Sequence, residues 1–433
     1  MIAQSIIEKA MQTAQSAQVT LNTRETSEVS FENDHLKSAE SSQRTDIKLR
    51  VILDGKVGVS TTTDPGDVDG VVRKALAAAQ FGSEAHFTMP AQQQTPSVKT
   101  YDPALLPLSK PEMIHMGQSM LDMIKSYNPE IVAGAGVSKT VQSVQFANST
   151  GAAYTEEHTN FSVGAGGQLT RGTDILFAGE GLGQKNRKID FEDIAARAIE
   201  FFRMAEVIAA VKSGEMPVIF TPGGLIALLL SLGMGLDGKN VLLGASPLAG
   251  KLDQVVADPR FTLVDDPLVD YGPQTSSFDD EGVPHKAIPL VENGVLRNFI
   301  YDLDTAGRAG AQPTGHGVYR SFTNLVVSPG DVAYKDMLKG VRQGLLVNDF
   351  LGLGQGNPIN GEFSVNVALG YKIENGAVVG RVKDVMLAGN AYQALKHITA
   401  ISQERQWQGG PYAWFSGLFP YIQVDKLSVT AKG

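Results

Sequence analysis

The chain of 433 residues is too long for one ordinary hydrophobic core, and its 42% apolar and 19% charged composition fits a globular protein of two or three domains. A net charge of -9, with no run rich in Lys or Arg, argues against a surface that tracks a phosphate backbone. The absence of cysteine excludes disulfides, thiolate nucleophiles and Cys-containing zinc sites, and fits a reducing compartment.

The first residues, Met1 to Glu8, lack the basic and apolar regions of a signal peptide and read as the start of an amphipathic helix. Val29–Lys37 and Ile47–Thr61 alternate as strands, the second folded at the Asp54-Gly55 turn. A helix is expected over Asp67–Gln80, with Val68, Val71, Val72, Ala75, Leu76 and Ala79 on one face. Residues 1–84 thus form a first domain. Residues 85–110, with three consecutive glutamines and several prolines, read as a linker.

A middle domain, 111–213, opens with a helix over Pro111–Tyr127. It continues in β-rich sequence with a turn at Asn148-Ser149-Thr150-Gly151, and closes with a helix over Phe191–Val211 capped by Asp190. Ile194, Ala198, Phe201, Phe202, Ala205 and Ile208 form its apolar stripe.

The C-terminal domain, 215–433, is dominated by short strands, with Glu292-Asn293-Gly294 and Glu374-Asn375-Gly376 as hairpin turns and helices near 221–236, 333–343 and 391–403. The uncharged stretch Met216–Leu236 has the length of a membrane span, but Pro222, Gly223 and Gly224 break it into a short strand and a buried helix capped by Thr221. The fold class is α+β: an N-terminal half of hairpins and long helices, and a C-terminal half of large mixed or antiparallel sheets with few helices.

Few motifs carry chemistry. Gly244–Leu252 has one residue too many between its glycines for a phosphate loop and lacks the Ser/Thr that would hold magnesium. Gly352-Leu353-Gly354-Gln355-Gly356 misplaces the third glycine of a dinucleotide fingerprint and leads into Asn-Pro and a strand. Ser276, Ser277, Asp279, Asp280, Glu281 and His285 crowd one loop, where local hydrogen bonds and solvation account for such residues. The acid pairs Asp265-Asp266 and Asp279-Asp280 read as solvated too. His316, flanked by Gly315 and Gly317, stands where a peptide or ligand backbone has room.

Together these blocks resemble the TldD/PmbA family, named historically as modulators of DNA gyrase and including zinc-dependent peptidases. The resemblance runs through Val29-Ser-Phe-Glu-Asn-Asp-His-Leu-Lys37, Leu49-Arg-Val-Ile-Leu-Asp-Gly-Lys-Val-Gly58, Asn148-Ser-Thr-Gly151 and Ser277-Phe-Asp-Asp-Glu-Gly-Val283. It continues in order with Glu292-Asn-Gly-Val-Leu296, Thr314-Gly-His316, Gly354-Gln-Gly356 with Gly361-Glu-Phe-Ser364, and Ala388-Gly-Asn390.

The resemblance implies that one branch carries His-Glu-x-x-x-His on a helix opening the C-terminal domain, with a later Cys as a further zinc ligand. Aligned on the tail Gly233–Gly238, those positions fall here on Leu229, Leu230 and Met234, and the Cys has no counterpart. Leucine has no lone pair and a thioether is a poor zinc ligand, so neither metal nor cofactor is expected. The other branch, PmbA or TldE, also lacks the motif and resembles this chain better in Phe278–Val283 and the Gly354 loop.

The expectation is therefore a cytosolic, non-catalytic subunit that completes the peptide-binding cleft of a zinc-bearing TldD-like partner. Gly315, His316, Gly317, Gly354 and Gly356 are the candidates for cleft-facing backbone, and neither nucleic acid nor membrane is expected as partner. Two alternatives stay open: a stand-alone homodimer that binds peptides without cleaving them, and an enzyme with a non-metal site around Asp279, Glu281 and His285.

Overall fold

A computed structural model describes residues 2–355, 357–409 and 415–432. Six long antiparallel strands in the order β3-β2-β1-β4-β5-β6 form the N-terminal sheet: β1 (Ser16–Glu32), β2 (His35–Leu53), β3 (Lys56–Thr62), β4 (Val132–Asn148), β5 (Ala153–Arg171) and β6 (Asp174–Gln184). The strands run well beyond the expected segments. The stretch expected as one strand, Val29–Lys37, is broken by a two-residue turn at Asn33-Asp34, both at positive φ. Asn and Asp tolerate that left-handed geometry, so polar alternation carries straight through the turn and hides it.

Four helices cover one face of this sheet. α1 (Ile2–Ala10) and α2 (Val68–Ala79) pack on Ala17, Val19 and Leu21 of β1 and Ile47, Leu49 and Val51 of β2. α3 (Lys110–Tyr127) and α4 (Phe191–Met204) pack further along, on Val29 and Phe31 of β1, Ala133, Ala135 and Val137 of β4, and Phe161 and Val163 of β5. All these strand positions are odd-numbered, because side chains alternate between faces with period two.

The helix starts follow their caps. Asp67 accepts from Gly70 N, Ser109 and Glu112 form a reciprocal capping box, and Asp190 accepts from Glu192 N and Asp193 N. α4 stops at Met204, short of the expected Val211, and Ile208 is exposed. Residues 85–102 contain no helix or strand but lie against the sheet: Pro90 O accepts from the Asn148 amide, and Asp102 N donates to Thr159 Oγ1.

The C-terminal strands are β7 (Gly214–Phe220), β8 (Leu263–Asp265), β9 (Ile288–Glu292), β10 (Val295–Leu296), β11 (Asn324–Val327) and β12 (Gln343–Leu351). They continue with β13 (Glu362–Glu374), β14 (Ala377–Arg381), β15 (Val385–Asn390), β16 (Ile398–Gln408) and β17 (Ser416–Ala431). β7 pairs with both β12 and β17, which closes a ring β7-β12-β13-β15-β17. Both expected Asn-Gly hairpins are present, with positive φ at Asn293, Gly294, Asn375 and Gly376.

α5 (Ile226–Leu236), α6 (Gly238–Leu242), α7 (Leu303–Ala309), α8 (Tyr334–Lys339) and α9 (Ala391–Lys396) complete the chain. α8 and α9 are shorter than expected; the apolar residues after Lys396 belong to β16, whose Ile398 and Ile401 pair with β17. The ring packs α5 and α9 against one set of its side chains, while Ile219, Leu346, Leu369 and Tyr371 face α4. Tyr371 OH donates to Phe201 O, so α4 lies between the two sheets. Among the described residues no helix is long and apolar enough to cross a membrane.

Candidate functional site

α5 carries Leu229, Leu230 and Met234, the three positions on which the zinc motif was expected to fall. It begins at Ile226 rather than at Pro222, because Thr221 caps a separate turn by accepting from Gly224 N. Leu229 and Leu230 are 3% and 7% exposed, and Met234 is half-buried. Around them the packing is tight: a Cβ on Gly233 would lie 3.0 Å from the Phe322 ring, and Tyr392 OH donates to Ser231 O at 2.8 Å. These residues do not fit zinc. The helix presents hydrocarbon and one thioether where imidazole and carboxylate would be needed. Among the described residues no group of three or more His, Asp or Glu is disposed to hold a metal ion.

The acid-rich loop 275–285 is not solvated as expected. Asp265, Asp279, Glu281 and His285 are all buried. Asp279 Oδ1 accepts from Glu281 N and Val283 N, and Oδ2 accepts from Gly317 N, each at 2.9 Å. Burial pushes the Asp279 carboxyl up to about 7, with the nearby Glu281 charge adding to the effect. His285 Nδ1 donates to Ser276 O at 2.8 Å, and burial holds the ring below its ordinary range. With Nδ1 already bonded to a carbonyl, the Ser276 hydroxyl 3.0 Å away has no base at that nitrogen. The arrangement braces the loop and assembles no Ser-His-acid triad.

The same loop fastens the C-terminal domain to the N-terminal sheet. Glu281 Oε1 accepts from Arg50 NH1 at 2.5 Å and Oε2 from Leu303 N at 2.7 Å, with side chains 6% (Arg50) and 1% (Glu281) exposed. Asp280 accepts from Lys48 Nζ at 3.1 Å and from Val318 N at 2.9 Å, and its carbonyl accepts from the Gln18 amide at 2.6 Å. The Arg50 guanidinium also lies 4.1 Å from the Phe87 ring centroid.

His316 is drawn into this assembly. Its side chain is 1% exposed; Nδ1 lies 2.8 Å from Thr314 Oγ1, and Nε2 lies 2.7 Å from Asp265 Oδ2, off the angle a hydrogen bond requires. Gly315 and Gly317 are buried with it, both at positive φ. Gly354 instead sits exposed in the turn after β12, and Gly356 lies outside the described residues.

The even-numbered face of the N-terminal sheet, opposite its helices, holds a group the sequence did not single out. Between this face and residues 273–280 lies a cavity of about 470 Å³. Glu156 and His158 on β5 and Lys185 after β6 line it. Lys185 Nζ is 3.0 Å from His158 Nδ1, and His158 Nε2 is 3.1 Å from Glu156 Oε2. Glu156 Oε1 accepts from Ser277 N at 2.9 Å. Burial pulls the Lys185 ammonium down to about 8, against the pull of Glu156, and lowers His158 as well. The polar alternation Glu156-x-His158-x-Asn160 was the available signal, since it puts three polar side chains on one face of a strand.

Three family profiles cover the chain: PmbA/TldA metallopeptidase domain 1 over residues 17–79, the central domain over 103–204 and the C-terminal domain over 213–431. The chain belongs to the TldD/PmbA family. A protein of Methanocaldococcus jannaschii is 29% identical over 371 residues, 83% of this chain and 85% of that protein. A Methanothermobacter thermautotrophicus metalloprotease is 25% identical over 409 residues, 90% of this chain and 88% of that protein. The crystal structure of TldE from Thermococcus kodakarensis superposes with a TM-score of 0.91 over 100% of both chains at 22% identity, which establishes the TldD/PmbA fold.

Proposed function

We propose that this chain is a PmbA/TldE-like, non-catalytic subunit of a TldD/PmbA peptidase, working in the cytosol beside a zinc-bearing partner whose peptide-binding cleft it completes. The observation that carries the reading is α5: Leu229 and Leu230 are buried and Met234 is half-buried at the positions read as the motif's, so this chain offers no water-activating centre there. Family membership and the TldE-like fold support it. Of the backbone proposed to meet the peptide, Gly354 is at the surface, whereas Gly315–Gly317 is buried and Gly317 N donates to Asp279.

Metal analysis and peptide hydrolysis on the purified chain, alone and with a TldD-type subunit from the same host, test this reading. The expected result is no stoichiometric zinc and no hydrolysis by the chain alone, with stable co-purification and faster cleavage once the partner is added. Stoichiometric zinc, or chelator-sensitive hydrolysis by the chain alone, overturns it. So does a tight homodimer that captures peptide and ignores the partner.

A further inference from the structure

Lys185 is 5% exposed, and among the described residues no carboxylate lies within 4.0 Å of its Nζ. Its one side-chain partner is an imidazole nitrogen. The tautomer of that imidazole follows from its other bond: Nε2 faces a carboxylate oxygen and so carries the proton, which leaves Nδ1 as an acceptor aimed at Lys185. The lysine is also held by its main chain, with N donating to Tyr271 O at 3.0 Å and O accepting from Thr159 Oγ1 at 2.6 Å. An amine, a base within hydrogen-bond reach of it, and a carboxylate orienting the base are the parts of an activated nucleophile.

The cavity around the amine is polar. Asn22, Gln142, Asn160, Gln274 and Ser276 line it, and Asn22 Oδ1 is buried without any hydrogen-bond partner. A buried acceptor left unpaired is costly, and a ligand hydroxyl would satisfy it. The titratable groups facing Lys185 are His158 and Glu156 on β5 and, across the cavity, Asp279 and Asp280, with His285 behind Ser276.

We propose that Lys185, His158 and Glu156 form a nucleophilic site that takes small hydroxylated aldehydes and ketones and joins them to Lys185 as an imine. The Nζ lone pair forms the C–N bond while the carbonyl π pair moves to oxygen. His158 Nδ1 relays a proton from the nitrogen to the alkoxide, giving the neutral carbinolamine. A solvent proton then carries the hydroxyl off as water while the nitrogen lone pair closes the C=N bond, and the remaining N–H proton returns to solvent through His158. One water is released per carbonyl and nothing is oxidised or reduced. The site needs neither α5 nor a zinc-bearing partner, so its test stands apart from the function proposed above.

The full-length protein is incubated with glycolaldehyde and cyanoborohydride, and modified lysines are quantified by peptide mass mapping over time. Lys185 is expected to react at least tenfold faster at pH 7.5 than the exposed Lys37 and Lys74, with a rate that rises to half-maximum near pH 8. His158→Leu, which removes the base at Lys185 Nζ, is expected to slow Lys185 at least tenfold while Lys37 and Lys74 are unchanged. Propanal, which lacks the hydroxyl, is expected to label Lys185 several-fold more slowly. Labelling of Lys185 no faster than that of Lys74 in the unmutated protein overturns the nucleophilic site, whatever the variant does. Equal rates with propanal overturn the hydroxylated class of ligand.

Discussion

The Arg50–Glu281 pair makes a demanding prediction, because its two members should fail differently. Glu281 uses both oxygens as acceptors, one for Arg50 NH1 and one for Leu303 N. Glu281→Gln keeps the shape but supplies only one acceptor oxygen, so either the guanidinium or the amide N–H then faces an N–H group. Guanidinium groups stay charged in proteins, so the penalty persists at all accessible pH. Removing one partner of a buried pair costs about 3–5 kcal/mol, and both side chains are nearly inaccessible here. Arg50→Met leaves a buried carboxylate already raised by burial, which takes up a proton once the cation is gone. Its cost is therefore about 3 kcal/mol at pH 8 and falls toward pH 5. The double variant Arg50→Met/Glu281→Leu, with nothing charged left unpaired, should recover most of the loss. Urea unfolding followed by far-UV circular dichroism at pH 5 and pH 8 measures all four proteins. The reasoning fails if, at pH 8, either single variant stays within about 0.5 kcal/mol of the parent, below the range for such pairs. It fails too if the double variant is no more stable than the singles.

Gly317→Ala combines a left-handed backbone, disfavoured by roughly 1–2 kcal/mol, with a Cβ 2.2 Å from Asp280 Oδ1. A thermal scan should show a lowered midpoint, whereas Gly172→Ala, also at positive φ but in open space, should lose only the conformational part. Glu112 is held down at about 2 by the Ser109 backbone N–H, the Ser109 hydroxyl and Arg187. A depressed carboxylate contributes stability that is present above its unfolded value of 4.5 and lost as pH falls through about 2. The urea-midpoint gap between the parent and Glu112→Gln should therefore be constant above pH 5 and close near pH 2.

Helices and hairpin turns were legible where one local rule decides them. Asp67, Ser109 and Asp190 mark helix starts because capping is read from adjacent residues, and the Asn-Gly pairs mark turns because few residues accept positive φ. Strand length was not legible: β1 and β2 include exposed polar stretches such as Arg24-Glu25 and Glu40–Arg44, which extend the sheet through backbone pairing that composition does not report. The burial of Asp279 and Glu281 was misread for the same reason. Their partners, Gly317 N and Arg50, lie 38 and 231 residues away, and without them an acid in a loop looks solvated. Lys185 and His158 were invisible as a pair, being 27 residues apart, His158 on β5 and Lys185 just past the end of β6. α5 shows the opposite case. Its leucines were readable as core because the segment carries no charge and only one polar side chain, Ser231.

The pairing of β1 with β4 also bears on how the chain is made. Residues 18–31 hydrogen-bond along their whole length to residues 135–148. A ribosome that has delivered only the first hundred residues therefore presents β1 with a naked edge fourteen residues long, joined on its other side to β2 and β3. Such an edge invites pairing with any neighbouring nascent chain. Synthesis is most exposed to misassembly during the interval in which the 85–131 segment emerges, and an isolated piece ending near residue 84 would carry that edge permanently.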